Sequence, residues 1–265
     1  MRGNEPAGKW ILALETSGDT CGIALLRGEK LISEHTFRHE MRLSEHLIAF
    51  TDRLLRDAEC EIAEIDLFAV GIGPGSFTGV RIGVMTAKTW AATLNKPIIG
   101  INAMETLAAD YAGLTDTLIV PLLPCRPGMV FAAAYRIGAE MEAGTETETR
   151  WELAEPAAFS IAEAAELARI SPASNVIFCG AAARTFRAEL SGALAASQQN
   201  ILPQNIAFGR AEFPRAAQVA TLARRRSQSE NPADDALTLV PLYIAPPQIT
   251  APKVAFAVPA AGEGN

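Results

Sequence analysis

The chain has 265 residues, a mass of 28.2 kDa, 49% hydrophobic residues and a formal net charge of −7. That size supports a substantial core in one large domain or two smaller lobes. The acidic balance, with a pI near 5.1, argues against an extensive nucleic-acid surface, which needs clustered Lys and Arg. Arg224-Arg225-Arg226 is the dense basic cluster and reads as a solvated helix face. Cys21, Cys60, Cys125 and Cys179 are far apart, form no C-x-x-C pair and read as free thiols in a reducing compartment. No run, including Met1–Lys9, approaches the roughly 18 apolar residues of a membrane span, so the sequence is expected to be cytoplasmic and not membrane-bound.

In chain order, Trp10–Glu15 reads as a buried strand, Thr16–Thr20 as a turn, Cys21–Leu26 as a second strand and Leu31–Phe37 as a third, forming an antiparallel meander. Ser44 is expected to cap a helix running to about Ala58, with Leu43, Leu47, Phe50, Leu54 and Leu55 on one face. A strand over 65–70 leads through a glycine-rich run into a helix ending near Leu94. A short strand Pro97–Gly100 and a helix Ala103–Ala112 close the first half. The mixture of meander and crossovers predicts an α/β layered fold.

The second half opens with the strand Leu118–Leu123, a turn through Arg126-Pro127-Gly128 and a return strand Met129–Ile137. Gly138–Arg150, carrying Glu140, Glu142, Glu146 and Glu148, reads as an exposed acidic connection. Helices at Ser160–Ala168 and Ala181–Leu190 flank a strand Asn175–Cys179, and a last helix spans Arg215–Arg226 before Leu239–Tyr243. The expected lobes are residues 1–104 and 105–245. Residues 246–265, Pro- and Ala-rich without period, are expected to trail in solvent.

The run from Gly71 to Gly83, GIGPGSFTGVRIG, is the most informative stretch. It lacks the Lys of a P-loop and the spacing of G-x-G-x-x-G. Anion capture at the helix start by Ser76, Thr78, Gly79 and Arg81 is the weaker reading. Gly79, Gly83, Ala87 and Ala91 recur every four residues, a stripe that lets another helix approach closer than the usual axis separation of about 8–10 Å. Trp90, Met85 and Leu94 lie beside that stripe. Such a face is internal packing or a subunit contact.

Other constellations are incomplete. His35, His39 and His46 fall within twelve residues, but four strand residues span about 13 Å, too far for one metal. Ser76 is not in G-x-S-x-G, and Cys125 has no histidine in its half of the chain. The sequence itself therefore supplies no catalytic residue, no intrinsic cofactor and no metal site. Glu15-Thr16-Ser17 resembles the phosphate hairpin of the actin, sugar-kinase and heat-shock superfamily, with Glu where a shorter Asp is usual.

Together, Ile11–Ser17, Cys21–Leu25 and the run from Gly71 to Gly83 resemble the bacterial TsaB (YeaZ) family closely. The likeness extends to Pro97–Ile101 and, more weakly, to Val130–Tyr135, Cys179-Gly180, Pro214–Ala217 and Pro241–Tyr243. It implies an actin-like two-lobed fold with mixed sheets flanked by helices. It implies a non-catalytic dimerisation subunit that pairs with the catalytic paralogue TsaD, joined by the ATPase TsaE. That complex moves threonylcarbamoyl onto N6 of the adenosine beside the tRNA anticodon. ATP and a metal ion then belong to partner subunits, and tRNA is met only indirectly. The resemblance places the pairing surface on the first two helices, here Leu43, Leu47, Phe50, Leu54, Gly79, Gly83, Ala87, Trp90 and Ala91, with homodimers through the same face. The alternative is a stand-alone actin-like ATPase, kinase-like enzyme or glycoprotease-type peptidase. Family residues are replaced at Leu43, over Pro124–Phe131, and at Ile244-Ala245.

Overall fold

A computed structural model describes residues 8–38, 42–142, 145–196, 205–229 and 233–245, with the backbone alone over 137–142 and 145–151. The expected tail 246–265 and His39 lie outside the described residues.

Two five-stranded sheets form the two lobes. The first has the order β3-β2-β1-β4-β5, from β1 (Trp10–Glu15), β2 (Thr20–Arg27), β3 (Lys30–Arg38), β4 (Leu67–Gly71) and β5 (Ile98–Ile101). The second comprises β6 (Thr117–Arg126), β7 (Met129–Glu142), β8 (Thr145–Ser160), β9 (Asn175–Cys179) and β10 (Asn205–Phe208), ordered β10-β9-β6-β7-β8. Read from its far edge, this is the order of the first sheet. In both, a meander of antiparallel strands is followed by two parallel ones. The fold is the duplicated, two-lobed actin-like architecture that the resemblance implies.

Strand period explains how each sheet is covered. Along β1, Leu12 and Leu14 join one core while Ile11 and Ala13 join another, because successive side chains point to opposite faces. The first face receives α1 (Leu43–Asp57) and α2 (Phe77–Leu94). The second receives α7 (Ala216–Arg226), where Ala13, Ala24 and Ala69 meet Ala216, Ala220 and Ala223. Alanines on both sides bring α7 close: a Cβ on Gly22 would press on Ala216. In the second lobe, α4 (Ile161–Glu166), α5 (Ala181–Thr185) and α6 (Arg187–Ala196) pack on one face. The other face is covered by α3 (Ala103–Ala108) from the first half of the sequence.

The lobes therefore exchange helices. The α7 helix packs on the first-lobe sheet, although its residues lie within the 105–245 expected for the second lobe. The basic cluster is correspondingly tied down: Arg224 pairs with Glu29 (3.0 Å), and Arg226 reaches Asp234 (2.8 Å) and the Gly100 carbonyl (3.1 Å).

Other expectations change in detail. Ser44 does not cap α1. The helix starts two residues earlier, at the buried Leu43, and Arg42 occupies the cap position with no side-chain capping bond. The helix expected over Ala181–Leu190 breaks at Phe186 into α5 and α6. The β10 strand, four residues at a sheet edge, has no sequence signal of its own. Of the acidic segment expected as a connection, 138–142 and 145–150 are strand. Their backbone forms the outer part of the β7–β8 hairpin, with Glu140 opposite Thr147 and Glu142 opposite Thr145. Over 145–150 the β8 arm is polar throughout and shows no apolar alternation, although its threonines favour strand. No helix among the described residues is long and apolar enough to cross a membrane.

Candidate functional site

A cleft of about 790 Å³ opens between the lobes. The β1–β2 turn (Ser17–Thr20), Pro74–Phe77 of the glycine loop, the β6–β7 turn at Leu123–Arg126 and the stretch Leu242–Ala245 line it. Asp19, Arg38, Arg126 and Glu212 supply its charges, and Glu212 pairs with Arg184.

The glycines of the loop are explained by the turn they touch. The Thr16 hydroxyl donates to the Gly79 carbonyl (2.8 Å), and the Ser76 amide donates to the Ser17 carbonyl (2.6 Å). A Cβ on Gly75 would collide with the Ser17 carbonyl, on Gly79 with the Thr16 carbonyl, and on Gly83 with the Thr16 hydroxyl. The small-residue stripe therefore admits the β1–β2 turn of the same chain, not another helix. Farther along the stripe, Ala87 and Ala91 lie in the first-lobe core.

Glu15 ends β1 and is fully buried. The Ser17 amide donates to Oε1 (2.7 Å), while Oε2 has no hydrogen-bond partner. The carboxyl lies where a Gly71 side chain would stand, beneath the glycine loop and outside the cleft lining. Burial pushes its pKa up to about 7, against the opposing effect of Ser17 beside it. The hydroxyl of Ser17 is buried, lacks a hydrogen-bond partner and belongs to a residue that lines the cleft.

The four anion candidates do not converge. Ser76 lines the cleft, but its hydroxyl accepts from the Gly79 amide (3.2 Å) as the cap of α2. Gly79 faces Thr16, Thr78 is exposed, and the exposed Arg81 lies over the Phe77 ring, 5.3 Å from its centroid. Cys125 is half-buried in the cleft wall, and burial raises its thiol pKa above the usual value despite Arg126. Neither described histidine is near it. His35 and His46 pack on Phe50, with ring centroids 4.5 and 5.4 Å away. Among the described residues no group of three or more His, Cys, Asp or Glu is placed to hold a metal ion.

The residues expected to meet a partner are mostly spent inside. Leu43, Leu47, Leu54, Gly79, Gly83, Ala87 and Ala91 are buried in this chain. Phe50 is half-buried with the histidines, and Trp90 packs 6.0 Å from Phe68. The apolar stripe of an amphipathic helix serves its own core first. What α1 and α2 leave at the surface is Ile48, 50% exposed, and Met85, 59% exposed. Sequence reasoning placed Met85 beside the stripe without separating it from the core and missed Ile48, because an exposed apolar residue differs from a core one only by its angle on the helix.

Known proteins agree with this architecture. A family model described as TsaD, tRNA N6-adenosine threonylcarbamoyltransferase, matches residues 38–253. The chain is 40% identical over 126 residues to the tRNA threonylcarbamoyladenosine biosynthesis protein TsaB of Bacillus subtilis (strain 168), covering 48% of this chain and 55% of that protein. It is 28% identical over 127 residues to the Escherichia coli (strain K12) TsaB, covering 48% and 54%. The chain thus spans about half the length of these curated relatives. The solved structure "YeaZ from Pseudomonas aeruginosa" superposes with a TM-score of 0.65 at 21% identity, over 89% of this chain and 99% of that one. The chain belongs to the family that this model describes, and among curated proteins it is similar to bacterial TsaB proteins.

Proposed function

We propose that the chain serves tRNA threonylcarbamoyladenosine biosynthesis as a non-catalytic subunit, supporting a TsaD-type paralogue that performs the transfer. One observation carries this reading: the acid of the first turn, Glu15, is held beneath the glycine loop rather than presented to the cleft. A group placed there cannot orient a metal-bound water or a phosphate in the cleft. Turn, loop and α2 form one packed unit, which suits a rigid docking element better than a reacting site. The match to a transferase family model and to TsaB proteins named for the pathway supports the assignment.

In this reading the paralogue docks on the outer face of α1 and α2, around Ile48 and Met85 with the half-buried Phe50 and Trp90. A second copy of the chain competes for that face. TsaE joins the pair, ATP and the metal ion belong to the partner subunits, tRNA is met through the complex, and the assembly works in the cytoplasm. The cleft and the unpartnered Ser17 hydroxyl favour the alternative, an ATPase, kinase-like enzyme or peptidase acting alone.

Co-purification with the cognate TsaD-type protein, followed by threonylcarbamoyl transfer to tRNA, separates the two. The complex is expected to form and to need this chain for turnover, while the isolated chain hydrolyses neither ATP nor peptide. Hydrolysis by the isolated chain at rates matching the complex overturns the proposal in favour of the stand-alone enzyme.

A further inference from the structure

Beyond α7 the chain runs from Ala233 to Ala245 without forming a helix or a named strand, yet it touches four separate parts of the molecule. At its start, the Asp234 amide donates to the Ile98 carbonyl (2.8 Å) at the open edge of β5. Its carboxylate accepts from the Gly100 amide (2.7 Å) and from Arg226 (2.8 Å). Next, the Lys88 ammonium on α2 donates to the carbonyls of Leu237 (3.2 Å) and Leu239 (2.7 Å). The Leu242 amide then donates to the Ile72 carbonyl (2.7 Å) in the glycine loop. Finally, Tyr243 packs 4.8 Å from Phe77 at the first turn of α2, and Ile244 and Ala245 pack with the second-lobe cluster that holds Leu123 and Phe131.

The lengths of these anchors leave little slack. Lys88 and Phe77 are eleven residues apart on one helix, about 16 Å along its axis. Residues 236–238 form a turn in which the Asp235 carbonyl accepts from the Thr238 (3.1 Å) and Leu239 (2.8 Å) amides, and the four steps from Leu239 to Tyr243 span about 13 Å when extended. Beyond its turn the segment therefore runs back along α2 with little slack, and its cleft end and its Lys88 end cannot shift independently. Its hold on the body is nevertheless thin. Leu237, Val240 and Tyr243 are 83%, 65% and 49% exposed, and only Ala236 and Leu239 pack on the first-lobe core. Few buried apolar contacts and few backbone bonds to the body place a segment at the low end of local stability.

We propose that residues 233–245 are an interlobe latch. Clipped to Lys88, the segment ties the first lobe to the second across the mouth of the cleft. Released, it leaves α2 as a unit, opens the cleft beside Ser17, and leaves both lobes folded. The latch is a property of the isolated chain and does not depend on the partner-subunit reading.

Native cysteines report the two states. Cys125 lines the cleft, whereas Cys21 and Cys179 are buried in the first and second lobes. In full-length Lys88→Ala, amide exchange over 234–245 and alkylation of Cys125, both mapped by mass spectrometry, are expected to rise about tenfold. Cys21 and Cys179 should stay protected, and Lys88→Arg should restore the slow rates. Faster exchange over 234–245 with unchanged Cys125 labelling overturns the latch, because the segment then does not govern the cleft. Parallel loss of protection at Cys21 and Cys179 also overturns it, since release would be unfolding. Should Lys88→Ala fail to fold, Tyr243→Ala releases the opposite end and is expected to speed exchange around 237–240. No change there overturns the coupling between the two ends.

Discussion

The two lobes repeat one topology but treat corresponding turns in opposite ways. In the first lobe the start of the β1–β2 turn is packed away: Glu15, Thr16 and Ser17 are buried, Gly75, Gly79 and Gly83 give up their side chains to admit them, and Gly18–Thr20 open on the cleft. In the second lobe the β6–β7 turn stands in solvent, with Pro124, Arg126, Pro127 and Gly128 exposed and nothing within 4 Å of where a Gly128 Cβ would sit. The strand-to-helix connections differ in the same sense. The glycine loop launches an 18-residue helix capped by Ser76, whereas Gly180 launches a five-residue helix without a side-chain cap. The difference teaches that the loops of the first lobe, where the superfamily resemblance looks for chemistry, are committed to packing. The rigidity of that lobe is what it can offer a partner.

Substitutions at the two turns should separate most widely. Gly83→Leu forces a side chain into the Thr16 hydroxyl and is expected to cost about 3 kcal/mol or more, read as a large fall in the denaturation midpoint. Thermal or urea curves matching the parent chain would break the comparison at its root. That loss would come from the folding of this chain, so Gly83→Leu does not probe a partner surface directly.

The buried acid gives the first lobe a pH signature. Glu15 titrates at about 7 in the folded chain against an ordinary 4.5. The folded state thus keeps a proton that the unfolded state has lost between those values. Stability is expected to fall as pH rises through that window, by about 3 kcal/mol in total, and to level off above it. Glu15→Gln should remove the slope, matching the parent near pH 4 and exceeding it at pH 8. Urea denaturation across pH reads this, and an identical slope in both proteins would show that the carboxyl is ionised in the folded state.

Smaller effects sharpen the contrast between core and surface. Ile48→Asp with Met85→Asp is expected to weaken association with the TsaD-type partner at least about tenfold, while stability moves by about 0.5 kcal/mol or less. Size-exclusion chromatography of the co-expressed pair, alongside melting curves, checks both halves. Unchanged assembly would move the docking surface elsewhere. Last, Gly128 has φ +76 in open space, so Gly128→Ala should cost about 1 kcal/mol from backbone conformation alone, measured in the same urea series.

Much of the first lobe is legible in the amino-acid sequence. The strands β1, β2, β4 and β5, the span of α2 and the Ser76-led helix start follow from apolar period and turn chemistry. The second lobe is harder to read. Its β8 strand begins over 145–150 with Thr, Glu and Arg alone, and β10 is too short to show a period. The site is legible in part: the glycine run marks the right place, but the same residues suit an anion cradle, a helix contact or a buried turn.

What the sequence by itself determined is most of the strand-and-helix pattern, the family likeness, and the absence of P-loop and dinucleotide fingerprints from the glycine run. Local residue types set these, and they need no knowledge of neighbours. Only the tertiary structure decided which surface the glycines face, that α3 and α7 are exchanged between lobes, and that Glu15 lies under the loop. Those outcomes depend on residues such as Thr16 and Gly83, or Ala13 and Ala220, which lie far apart in the chain. A period along one helix states which side is small, but not what will press against it.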